Sequence, residues 1–121
     1  MTFSQSELRQ QVLDWLKDQV PAPRLAHSLR VETMAIDLAQ HHAINPSDAA
    51  QAGLMHDLAK YFKPDRLLTL AREAGLAIDP VEEATPHLLH ADVSAIVAQR
   101  EFGVTHRLVL EAIANHTLGR P

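Results

Sequence analysis

There is no cysteine in this chain, which excludes a disulfide framework, a thiolate zinc site and a thiol nucleophile and suits a reducing, cytoplasmic compartment. Aromatic side chains make up only 4% of the 121 residues, while alanine and leucine are abundant, a balance that favours helix over strand. No apolar run approaches the roughly 18 residues of a membrane span, and no basic-then-apolar signal pattern opens the sequence. Lys and Arg are dispersed and the net charge is −4, so a general nucleic-acid surface is not expected. Nor is there a P-loop glycine pattern, a zincin motif or a Ser-His-Asp series.

What is present is a globular composition, 46% apolar, with eight histidines. The length fits one domain, taken as 1-121. Helical periodicity recurs along it. A first amphipathic helix is expected over residues 4 to 19, broken by Pro21 and Pro23. A second runs from Pro23 to His42 with the stripe His27, Val31, Met34 and Leu38. Asn45-Pro46 reads as a cap and first turn, opening a third helix that is expected to reach Tyr61-Phe62. A fourth is read from Pro64 to Ala74 and a short acidic turn at Val81–Ala84. A fifth begins near Pro86 and closes at Gly103, and a sixth starts at Thr105. The expectation is an all-α bundle of about six helices.

The third of these helices carries Gly53-Leu-Met-His56-Asp57-Leu-Ala-Lys60, a small and apolar stretch interrupted by an imidazole and a carboxylate. Burying such a pair costs several kcal/mol, about 2–7 for each unsatisfied polar group, unless a metal ion, a partner cation or a water network satisfies it. His27, His56, His90 and His116 fall on, or end, the apolar stripes of four helices. Short connections place His27 and His56 at one end of a helical hairpin, and His90 and His116 at the corresponding end of another. Four imidazoles and Asp57 are therefore expected at one pole. On a continuous helix His56 and Asp57 project about 100° apart, so they would meet only through a metal lying between them. Mixed imidazole and carboxylate ligation suits iron, manganese, cobalt, nickel or zinc better than calcium. His87 is read as a surface or supporting histidine beside His90, and His41, His42 and His106 as helix-end residues.

His27, then His56-Asp57 after 28 intervening residues, resembles the HD-domain metal-dependent phosphohydrolases. Arg24-Leu-Ala-His27-Ser, Gly53 through Lys60, Leu88-Leu89-His90-Ala91 and Ala112-Ile-Ala-Asn-His116-Thr117-Leu-Gly119 together resemble the YqeK subfamily, symmetrical bis(5′-nucleosyl)-tetraphosphatases that cut diadenosine tetraphosphate into two ADP. The resemblance implies an HD-domain helical bundle with His27, His56 and Asp57 as metal ligands, typically to iron. It implies Arg24, Asp57, Lys60, His90, His116 and Thr117 as contacts to the nucleotide, with His56 and Asp57 at the reacting centre.

Members of that subfamily continue into helices that carry an aspartate as a last metal ligand, whereas this sequence stops at Pro121, five residues after His116. The expectation is a domain shortened at its C-terminus, lacking the fourth protein ligand, exposing apolar surface and self-associating as a homo-oligomer. The resemblance implies a dinucleoside polyphosphate or ADP as its partner. Two other readings stand beside the hydrolase: a non-catalytic helical module that binds nucleotide, and an HD phosphohydrolase of another nucleotide.

Overall fold

Prolines open five successive helical segments, because a residue without an N–H costs nothing in a first turn whose N–H groups have no helical partner. The computed structural model describes residues 5–42 and 44–115, and all of their regular structure is helical. The α-helices are α1 (Gln5–Gln19), α2 (Ala22–His41), α3 (Pro46–Met55), α4 (Pro64–Glu73), α5 (Pro80–Ala84), α6 (His90–Phe102) and α7 (Arg107–Ala114). A 3₁₀ turn, Pro86–Leu89, leads into α6. The all-α expectation holds. No described helix is long and apolar enough to cross a membrane.

Caps set several boundaries. Asn45 accepts from Ser47 N and Asp48 N at 2.9 and 3.4 Å, an N-cap worth about 1 kcal/mol. The acidic turn expected at Val81–Ala84 is α5, one turn of helix closed by a reciprocal Asp79–Glu82 capping box. Gly103, at φ 67°, ends α6 in the left-handed region that an L side chain rarely adopts. The fifth expected helix is divided at Leu89 into the 3₁₀ turn and α6, and the sixth starts at Arg107 rather than Thr105, with His106 Nδ1 accepting from Leu108 N.

The core lies between α1, the end of α3, α4, α6 and α7, filled by Val12, Leu16, Met55, Leu58, Leu89, Val93 and Ile113 among others. Trp15 packs against Phe62 and edge-on against Phe102, with ring centroids 6.0 and 6.1 Å apart. Most of the few aromatic rings are spent there.

Two expectations fail, each for a physical reason. The face of α2 that is buried carries Ser28, Glu32 and Ala39, while Met34 and Leu38 are 61% and 57% exposed. This face approaches α3 so closely that a Cβ on Gly53 would sit 3.0 Å from Val31 O and 3.1 Å from Glu32 Cα. Small residues suit that approach, and Glu32 is tolerated there because Arg9 of α1 grips its carboxylate through two bonds of 2.9 and 3.0 Å. That bond raises the pKa of Arg9. The second failure is α3 itself, which stops at Met55 instead of reaching Tyr61-Phe62. Beyond it the backbone changes to i→i−3 bonds, Leu58 N to Met55 O, Lys60 N to Asp57 O and Phe62 N to Ala59 O.

Candidate metal centre

His27, in the second turn of α2, and His56, just past the end of α3, have ring centroids 5.4 Å apart, so the start of one helix lies beside the end of the other. The antiparallel pairing expected from the short connection is what the structure contains. Tight α2–α3 contact at Gly53 brings the two rings together one turn further on. The turn that replaces the end of α3 then brings Asp57 beside His56, with His56 Nε2 3.2 Å from Asp57 Oδ2. The two side chains meet directly, although His56 keeps helical backbone angles (φ −62°, ψ −26°).

Asp57 is the focus of the site and only 2% exposed. Arg24, in the first turn of α2, donates to its Oδ2 through Nη2. His90, the first residue of α6, has Nε2 3.9 Å from Oδ1. The orientation of two rings is fixed from behind. His56 Nδ1 donates to Gly53 O at 2.7 Å and His90 Nδ1 donates to His87 O at 2.9 Å, because a carbonyl oxygen only accepts. In both residues Nε2 is thereby the atom turned to Asp57. A nitrogen lone pair facing a carboxylate oxygen is satisfied by a shared proton or a shared cation.

The electrostatics favour a neutral ligand at His27. Burial, then the nearby Arg24 and His56, push its pKa below the ordinary imidazole value, with Asp57 pulling the other way. One donor atom each from His27, His56 and Asp57 lie within 4.8 Å of one another. Donors on one first-row ion with bonds of about 2.0–2.2 Å sit no more than about 4.3 Å apart, so a small side-chain rotation closes the set. Two imidazoles and a carboxylate suit a divalent transition metal. Arg24 also has a buried Nε with no hydrogen-bond partner among the described residues, a donor in want of an acceptor beside the carboxylate.

Arg24, His27, His56, Asp57, Lys60 and His90 share one open cleft of about 1100 Å³. Away from this pole its wall turns apolar, with Val31, Ala35, Leu38, Ile44, Leu108 and Ala112. The structure thus brings together six residues singled out in the sequence. His116 and Thr117 lie outside the described residues. His87 is exposed; its carbonyl holds the His90 ring, on which its own ring stacks at 4.8 Å and 19°. His41, His42 and His106 are exposed at helix ends, as expected. The Arg24–Asp57 bond was not foreseen, nor was Ser94, whose hydroxyl accepts from Ala59 N at 2.9 Å. A serine among Ala91, Val93, Ile96 and Val97 was the one signal for the latter.

Comparison with known proteins shows the family and the fold. The HD domain family model matches residues 24–121. The symmetrical bis(5′-nucleosyl)-tetraphosphatase of Staphylococcus aureus is 35% identical over 104 residues, covering 86% of this chain and 53% of that protein. The protein of the same name from Bacillus subtilis is 36% identical over 114 residues, covering 93% of this chain and 60% of that one. A crystal structure from Clostridium acetobutylicum, described as a predicted HD superfamily hydrolase involved in NAD metabolism, superposes with a TM-score of 0.91 at 29% identity, over 100% of this chain and 62% of that one. The chain therefore spans little more than half the length of the curated relatives it matches. It belongs to the HD-domain family.

Proposed function

We propose that this chain is the metal-binding part of a phosphohydrolase that cleaves diadenosine tetraphosphate symmetrically into two ADP. The observation that carries the reading is the convergence of His27, His56 and Asp57 in a cleft that also holds Arg24 and Lys60. The names of the Staphylococcus and Bacillus relatives supply the substrate.

A divalent metal, iron by resemblance, would supply Lewis acidity toward a phosphoryl oxygen and a lowered pKa for water. The chain's own residues do the rest. His27, His56 and Asp57 would hold the ion. Arg24 reaches the same carboxylate from α2 and brings its guanidinium charge to the cleft. Lys60, with no ion-pair partner among the described residues, adds a second positive charge to the cleft. Phosphoryl transfer depends chiefly on such positioning and charge. His90, held through Nδ1, presents Nε2 from the opposite element.

A second reading is favoured by the Arg24–Asp57 bond, which satisfies the buried carboxylate without a metal: a non-catalytic module that binds nucleotide phosphates on Arg24 and Lys60. Product analysis separates the two. Incubated with iron and diadenosine tetraphosphate, the chain is expected to release ADP alone. ATP with AMP would refute the symmetrical reaction. ADP binding without turnover or metal uptake would leave the binding module.

For the assembly we propose a homo-oligomer formed through exposed apolar side chains, including Leu38 and Leu108, the latter 66% exposed. Sedimentation should show concentration-dependent association; a monodisperse monomer contradicts it.

A further inference from the structure

Ala59 N–H is the donor that would bond Met55 O if α3 continued another turn. Instead Met55 O accepts from Leu58 N at 3.4 Å, and Ala59 N–H goes to Ser94 Oγ at 2.9 Å. Ser94 has one hydroxyl proton, and it donates that proton to His90 O at 2.7 Å, one turn back on α6. A single hydroxyl therefore bonds the turn that follows His56-Asp57 and the first residue of the helix that carries His90. Ser94 and Ala59 are both 0% exposed, so no bulk water replaces this bond. Ala59 lies in the turn past the end of α3, where His56 and Asp57 are neighbours at 3.2 Å, and the same hydroxyl anchors the backbone beneath the ring that faces Asp57 from the other side.

We propose that Ser94 is a positioning residue for the metal centre: its hydroxyl holds the His56–Lys60 turn off the helical path and in register with His90. This rests on the metal reading given above, yet it also concerns the backbone of the metal-free chain. Supporting groups behind metal ligands commonly change affinity about 10- to 100-fold when removed.

The test compares wild type, Ser94→Ala, Ser94→Thr and, as a control for lost stability alone, the α1 core truncation Val12→Ala. Zinc alone is titrated by calorimetry at a temperature where all four are folded, and amide exchange is read at Ala59. The expected result is about tenfold weaker zinc binding and fast Ala59 exchange in Ser94→Ala, both recovered in Ser94→Thr, with zinc affinity unchanged in Val12→Ala. Should Ser94→Ala not fold, Ser94→Cys keeps the volume and weakens the acceptor, and carries the same comparison. Wild-type zinc affinity in Ser94→Ala, or an equal loss in Val12→Ala, overturns the positioning role. If wild type itself takes no zinc, the metal reading fails separately. Ser94 is then judged by Ala59 exchange and the ring-nitrogen shifts of His56 and His90. Values in Ser94→Ala identical to wild type overturn it there too.

Discussion

The two ends of the cleft reverse the usual division between core and surface. At one pole, Asp57, His56 and His90 are buried while Arg24 and His27 are half-buried; along the opposite wall Leu38, Ile44 and Leu108 are exposed. The polar pole is costly to bury, and it is held by directed bonds: Arg24 to Asp57, His56 to Gly53 O, His90 to His87 O, Ser94 to the turn. Along the apolar wall the directed bonds are fewer, chiefly the Asn45 cap and the His106–Asp48 pair at 3.1 Å. On the proposed reading the pole serves ligand chemistry and the wall self-association.

Breaking the pole at its focus should have the largest effect. Asp57→Ala removes one donor and the partner of Arg24, and it is expected to lower metal affinity at least about 100-fold while far-UV dichroism is retained. A preserved affinity would take Asp57 out of the site. Next comes the contact that brings the histidines together. Gly53→Ala places a Cβ 3.0 Å from Val31 O, and the overpacking, reduced by better helix propensity, should give a net loss of about 1 kcal/mol in thermal or denaturant unfolding. A stabilised variant would mean that α2 and α3 move apart freely.

The pH response sharpens the comparison further. His27 has a lowered pKa in the folded chain, so the unfolded chain, with an ordinary value near 6.5, binds the proton more readily. Its contribution is fully present above about pH 6.5 and is lost as pH falls toward the lowered folded value. Between pH 7 and 5, wild type should therefore lose more melting temperature than His27→Gln. Parallel profiles would show that His27 has no such role. On the opposite wall the smallest change is expected. Leu108→Asp should alter stability by no more than about 0.5 kcal/mol while reducing self-association in sedimentation.

Much of this was legible in the sequence because it is local. Asn45-Pro46, Gly103 and the prolines announce helix ends through their own backbone chemistry, and His27, His56 and His90 stand out as imidazoles among apolar neighbours. What was illegible depends on partners distant in the chain. The later half of the apolar stripe read along α2, Met34 and Leu38, is exposed, because the helix contacts α3 through small residues at Gly53 and pairs Glu32 with Arg9, 23 residues away. The early end of α3 is equally non-local. No residue from Gly53 to Lys60 is a helix stop past Met55, and the diverted N–H finds its acceptor on Ser94, 35 positions on. Asp57 was recognisable as a carboxylate in need of a partner; that Arg24 holds it required the fold.

The most direct measurement is a zinc titration of the chain labelled with ¹⁵N-histidine, followed by NMR. One equivalent should shift the Nε2 resonance of His56 and a ring nitrogen of His27, leaving those of the helix-end residues His41 and His106 in place. Unchanged signals for His27 and His56, or a response confined to His41 and His106, would contradict a metal centre at this pole.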